Sequence, residues 1–321
     1  MIEDISEGTA MQMRRLGNSG LKVSAVGLGC NNFGMRIDEK ETQGVVDAAL
    51  EAGITLFDTA DIYGATQSEV FLGKALGKRR HEVVLASKFG MRIGDDETRR
   101  GGSRRWILRA VEDSLKRLGT DYIDLYQLHQ PDPETPIDET LRALDDLIAQ
   151  GKVRYIGNSN FSGWQIADAD WTARLEHLTR FVSAQNQYSL LERRVEHEVL
   201  PACGHFGLGF LPFFPLGSGL LTGKYQRGAP PPAGTRLAAW GGRGAQALSD
   251  RNFDKLEKLT GFATDHGHTI LELAFAWLLG HPVVSSVIAG ATSPDQVRAN
   301  AAAGQWVLTP DEVKAVSELA A

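Results

Sequence analysis

The chain predicts an α/β fold, a (β/α)8 TIM barrel with an N-terminal β-hairpin and long loops on its C-terminal face. Three observations carry this. Eight short apolar runs alternate with helical patterns along the 321 residues, and strands alternating with helices imply a parallel sheet. Eight such units in one chain of this size favour closure, because α/β barrels of about 250 residues fold as one domain. Two long irregular stretches, 90–102 and 217–250, each follow a strand, which puts both on the face where barrel enzymes keep their active sites.

Taken in order, residues 1–12 are polar and acidic and read as a flexible leader, leaving 13–321 for the barrel. Residues 13–15 and 21–23 flank Leu16-Gly17-Asn18-Ser19-Gly20. Gly and Asn tolerate turn dihedrals, so a hairpin is expected there. The strands are expected at 25–28, 55–58, 83–88, 123–129, 153–159, 181–186, 208–214 and 284–288. Between them, Asp38-Glu39-Lys40-Glu41 has a capping-box pattern, and Gly53 can end that helix. Ser103 can cap a second helix, whose apolar face carries Ile107, Val111, Leu115 and Leu118. Thr135-Pro136-Ile137-Asp138 predicts a third, with proline at the first helical position, and Thr309-Pro310-Asp311-Glu312 repeats the signal near the C-terminus.

Hydrophobic residues make up 42% and charged residues 23%, as in ordinary soluble domains. A net charge of -6 opposes a general nucleic-acid binder. No apolar run approaches the roughly 18 residues of a membrane span. Only Cys30 and Cys203 occur, so there is neither a disulfide framework nor a paired metal-ligand spacing, which suits a reducing cytoplasm. Arg99, Arg100, Arg104 and Arg105 form a basic cluster. It is either a solvated loop and helix start or the rim of an anion site.

Side chains alternate along a strand. Asp58 shares a face with Leu56, Lys88 with Ala86 and Val84, and His129 with Gln127 and Leu125. Three successive strands thus end in an ionisable group. Neighbouring strands lie about 4.8 Å apart, so inward-facing groups would converge at the barrel mouth. Asp58 and Lys88 alone could be a buried ion pair, and His129 alone a core histidine; the coincidence of all three favours a site. Tyr63 follows in the next loop. A lysine ammonium nearby favours tyrosinate and would lower the phenol pKa, making the tyrosine a better acid near neutral pH.

At these residues the chain resembles the aldo-keto reductases. Phe57-Asp58-Thr59-Ala60-Asp61-Ile62-Tyr63-Gly64 is similar to that family's first signature, and Leu85-Ala86-Ser87-Lys88 and Gln127-Leu128-His129 to the segments with its lysine and histidine. The resemblance implies NADPH-dependent reduction of a small-molecule aldehyde or ketone. Tyr63 would be the proton donor, Lys88 held by Asp58 would tune it, and His129 would orient the carbonyl. The same resemblance extends to the β subunits associated with potassium channels, which makes a slow or non-catalytic NADPH-binding sensor the alternative. An asparagine at the fourth position would suit the sensor; this chain has His129.

The resemblance also implies cofactor contacts: Gly29, Cys30 and Asn31 after the first strand, then Asp58, Ser159, Asn160 and Gln185. Asn160 reads equally as a turn residue and Gln185 as a barrel-interior polar. Phe213 stands where many members have a stacking tyrosine or tryptophan. Leu216, Ser218 and Lys224 match the loop that covers the pyrophosphate, and Arg236 aligns loosely with the adenosine phosphate. Gly290, Thr292, Gln296 and Asn300 follow the last strand, although Ser293 to Gln296 is also a capping-box pattern. Some members place Lys and Arg at the positions of Gly290 and Gln296. The 2′-phosphate is therefore expected to meet Thr292, Gln296, Arg298, Lys224 or Arg236. Phe33, Tyr63, Trp106 or the loop before it, and the 217–250 loop, which includes Trp240, are expected around the substrate.

Overall fold

A computed structural model describes residues 10–321. Residues 1–9 of the expected leader lie outside the described residues; Met11 packs on the core and the Gln12 carbonyl accepts from the Ala25 amide at 2.8 Å. β1 (Met13–Arg15) and β2 (Lys22–Ser24) form the antiparallel hairpin. The barrel strands are β3 (Val26–Gly29), β4 (Leu56–Asp58), β5 (Val84–Phe89), β6 (Ile123–Leu128), β7 (Val153–Ser159), β8 (Ser183–Gln185), β9 (Gly209–Phe210) and β10 (Val287–Gly290). All pair in parallel, in the order β10-β3-β4-β5-β6-β7-β8-β9.

Closure between β9 and β10 differs in detail from the sequence expectation. The last strand forms at Val287–Gly290, three residues later than its expected start, because Val284 instead bridges Phe210. The Phe210 amide donates to Val283 O at 2.8 Å and Ser285 donates back to Phe210 O at 2.9 Å. Beyond Phe210 the expected strand stops short. Pro212 has no N–H for the ladder, and Phe213 makes only an isolated bridge to Gln187.

The helices are α1 (Glu39–Glu51), α2 (Gln67–Leu76), α3 (Arg104–Leu118), α4 (Ile137–Ala149), α5 (Gly163–Leu175), α6 (Val199–Phe206), α7 (Arg236–Ala239), α8 (Gly242–Ala247), α9 (Asp250–Asp265), α10 (Ile270–Leu279), α11 (Pro294–Ala303) and α12 (Pro310–Leu319). The expected caps at Asp38, Ser103 and Thr309 all form. Pro136 is the N-cap of α4 rather than its first residue, and the Thr135 hydroxyl turns away to Asp132 at 2.7 Å. The stretch 217–250 is not wholly irregular: Thr235 caps α7, and α8 follows.

Apolar packing falls in two layers. Outside the strands, Val111, Leu144, Leu273 and their neighbours cover the barrel. Inside, Leu56, Ala86, Leu125, Leu211 and Ile288 pack together, and Leu16 and Val23 of the hairpin close the N-terminal end. Gly17 lets the hairpin seat. Its φ is +56°, and a Cβ there would lie 2.4 Å from Gly207 O.

Candidate active site

The inward positions that are apolar low in the barrel become polar two residues later. Lys88, fully buried, meets Asp58 Oδ2 at 2.6 Å and donates to Thr59 O at 2.9 Å. Its third neighbour is the Tyr63 hydroxyl, at 3.4 Å. The other Asp58 oxygen accepts from Gln185 Nε2 at 2.9 Å and Gln127 Nε2 at 3.3 Å. Both carboxylate oxygens are thus satisfied, which is what allows an ion to sit here. Gln127 was overlooked as a site residue, although strand parity already puts it on the His129 face.

The Tyr63 ring is half-buried and meets His129 edge-on, with centroids 5.6 Å apart. Burial raises the Tyr63 phenol above its ordinary value; the Lys88 charge pulls it down and Asp58 pushes it up. Lys88 therefore acts in the expected direction, but burial outweighs it and the phenol stays protonated at neutral pH. Burial would lower the Lys88 ammonium, but Asp58 and Tyr63 more than compensate and raise it. For His129, burial and then the Lys88 charge push the imidazole down to about 3, so it is neutral. Its Nδ1 is buried and has no partner among the described residues.

These groups open on a cavity of about 780 Å³, within the usual range for small-molecule sites. Tyr63, His129 and Asp58 line it, and Lys88 lies beneath. Along its wall, Ser159 Oγ donates to Gln185 O at 2.8 Å, and Asn160 Nδ2 donates to His129 O at 2.9 Å. Asn160 holds a left-handed φ of 61° to do so. Among the described residues the amide oxygens of Asn160 and Gln185 take no donor. Gly29, Asn31, Phe213, Leu216, Ser218, Lys224, Arg236, Gly290, Thr292, Gln296 and Asn300 complete the sequence-expected lining.

Some expected residues lie elsewhere. The Cys30 side chain is buried and does not line the cavity; its amide donates to Asp58 O at 2.8 Å. Phe33 and Trp106 are also core residues; of the expected alternatives, the loop before Trp106 reaches the cavity through Met91, and Phe214 lines it as well. Trp240 stands outside the lining, edge-on to Phe214. Arg298 turns to Asp295 and Glu51, away from the cavity. In the basic cluster Arg100 pairs with Glu134 and Arg104 with Asp146, which fits the solvated reading. Gln296 is only half a capping box. Its amide N–H meets Ser293, but its side-chain oxygen accepts from the Thr292 amide at 2.9 Å. Arg36, which no pattern singled out, lines the cavity.

Among the described residues no helix is long and apolar enough to cross a membrane, and no group of three or more His, Cys, Asp or Glu is placed to hold a metal.

Comparison with known proteins agrees with the fold. The profile of the Aldo/keto reductase family matches residues 25–321. An uncharacterized oxidoreductase of Bacillus subtilis (strain 168) is 41% identical over 299 residues, covering 90% of this chain and 89% of its own. Probable voltage-gated potassium channel β subunits of Oryza sativa subsp. japonica and Arabidopsis thaliana are 38% and 37% identical, over 94% and 90% of each chain. The chain belongs to the aldo/keto reductase family.

Proposed function

Starting from membership of the aldo/keto reductase family, we propose that the chain reduces an aldehyde or ketone to an alcohol, with NADPH as cofactor and Tyr63 as proton donor. The observation that carries this reading is the contact of Lys88 with both Asp58 and Tyr63 beneath the cavity that Tyr63 and His129 line. When bound, the nicotinamide supplies the hydride to the carbonyl carbon.

The protein's part is to hold the carbonyl and to give a proton. Negative charge grows on the carbonyl oxygen as the carbon is reduced, and donors must already be in place there. Tyr63, protonated at neutral pH, gives its proton to that oxygen. Lys88 is fixed by Asp58 and stabilises the phenolate left behind. Neutral His129 has one N–H, and donates it to the same oxygen. The oxygens of Asn160 and Gln185 suit the N–H₂ of a carboxamide, and Phe213 offers a face for the ring. Ser218 and Lys224 suit a pyrophosphate, and Arg236, Thr292, Gln296 and Asn300 the adenosine end.

The plant relatives are named as probable voltage-gated potassium channel β subunits, which favours a second reading, a slow or non-catalytic NADPH-binding sensor or regulatory subunit. Dinucleotide absorbance, followed with a panel of aldehydes in excess, separates the two. Many turnovers per site are expected. Binding without repeated turnover would favour the subunit, and no binding would overturn both.

A further inference from the structure

We infer that Arg36 is a specificity-determining residue, reading a phosphomonoester where it, Lys224 and Arg236 line the cavity. The inference rests on the cofactor reading above and deepens it. Arg36, Lys224 and Arg236 come from three separate segments and line one cavity. Among the described residues none of the three has a carboxylate partner, whereas Arg92, Arg100, Arg104 and Arg227 all do. Burial and then the Arg36 charge lower both the Lys224 ammonium and the Arg236 guanidinium. Three cations gathered without a counter-ion, in a chain of net charge -6, are arranged for an anion.

Asn32 sets the geometry. Its carbonyl accepts from the Arg36 amide at 2.8 Å, its Oδ1 from Arg236 at 3.3 Å, and its Nδ2 donates to Ala291 O at 3.1 Å. The turn carrying Arg36 is thereby tied to Arg236 and to the segment carrying Thr292. Gly290 lies close by: a Cβ there would stand 3.0 Å from Asn31 Oδ1 and 3.2 Å from Asn32 Nδ2. The Arg36 side chain is exposed and, among the described residues, bonds only to Gly234 O, at 2.7 Å. A guanidinium has five N–H donors, so most remain available. A pyrophosphate carries one charge per phosphorus, whereas a monoester carries about two near neutral pH. The third cation therefore matches a ribose phosphate rather than the bridge.

The test is a fluorescence titration of the wild type, Arg36→Gln and Arg36→Lys with NADPH and NADH. Arg36→Gln is expected to weaken NADPH about tenfold, the effect of one charge-assisted hydrogen bond, to leave NADH within about twofold, and to lower the salt dependence of NADPH binding. Arg36→Lys should recover part of the loss. An equal loss for both dinucleotides, or no loss for NADPH, overturns the inference while the cofactor reading stands. A wild type that binds neither dinucleotide overturns both.

Discussion

The floor and the mouth of this barrel are built on the same strands, two residues apart. At the floor Leu56, Ala86 and Leu125 pack with Leu16 and Val23 into an apolar plug. At the mouth the next inward positions are Asp58, Lys88 and Gln127, joined by hydrogen bonds and an ion pair. Strand parity is identical in the two layers; depth alone separates packing from chemistry. The floor is held by area removed from water, the mouth by complete pairing of buried polar atoms. An error at the floor should therefore lower stability and spare turnover, whereas an error at the mouth should lower turnover whatever it does to stability.

Lys88→Met should break the mouth most severely. It is expected to lower kcat by roughly 10²–10⁴-fold and, by leaving Asp58 buried and unpaired, to cost about 3–5 kcal/mol of stability. Adding Asp58→Asn should restore the denaturation midpoint and not the turnover. Recovery of both would mean the pair is structural.

Leu125→Ala should sharpen the contrast from the other side. Steady-state kinetics of the folded variant should stay near wild type, while denaturant unfolding shows a loss of about 2–5 kcal/mol. A kinetic collapse with intact stability would show that the layers are not separable.

Under neutral conditions the next effect is silent, and it emerges only at low pH. The folded His129 value is about 3, against an ordinary 6.5. Between those values the unfolded chain binds a proton that the folded one does not. Stability therefore falls as pH drops through that window, by up to about 1.4 kcal/mol per pH unit. His129→Gln should flatten this acid limb in unfolding curves measured across it, and an unchanged slope would assign the limb to other groups.

What could be read in advance follows the same division. Repetition makes a barrel legible: apolar runs and capping boxes recur, and Asp38, Ser103 and Thr309 all cap as their patterns imply. Asp58, Lys88 and His129 were legible because ionisable groups interrupt apolar alternation at equal depth. Arg36 was not, because one exposed arginine in a turn has no periodicity to break, and only tertiary placement brings it to Arg236. Phe33 faces the core because an aromatic just past a strand end can turn there as readily as to the mouth, and Trp106 because it lies on the buried face of the first turn of α3. The tuning of Tyr63 was legible only in part. The lysine was visible in the chain, but the burial that outweighs it was not.

Tyr63→Phe tests most directly whether Tyr63 gives the proton. Turnover with an aldehyde and NADPH should fall by about 10²–10⁴-fold, with NADPH affinity nearly unchanged in a fluorescence titration. Wild-type turnover in that variant would contradict the claim.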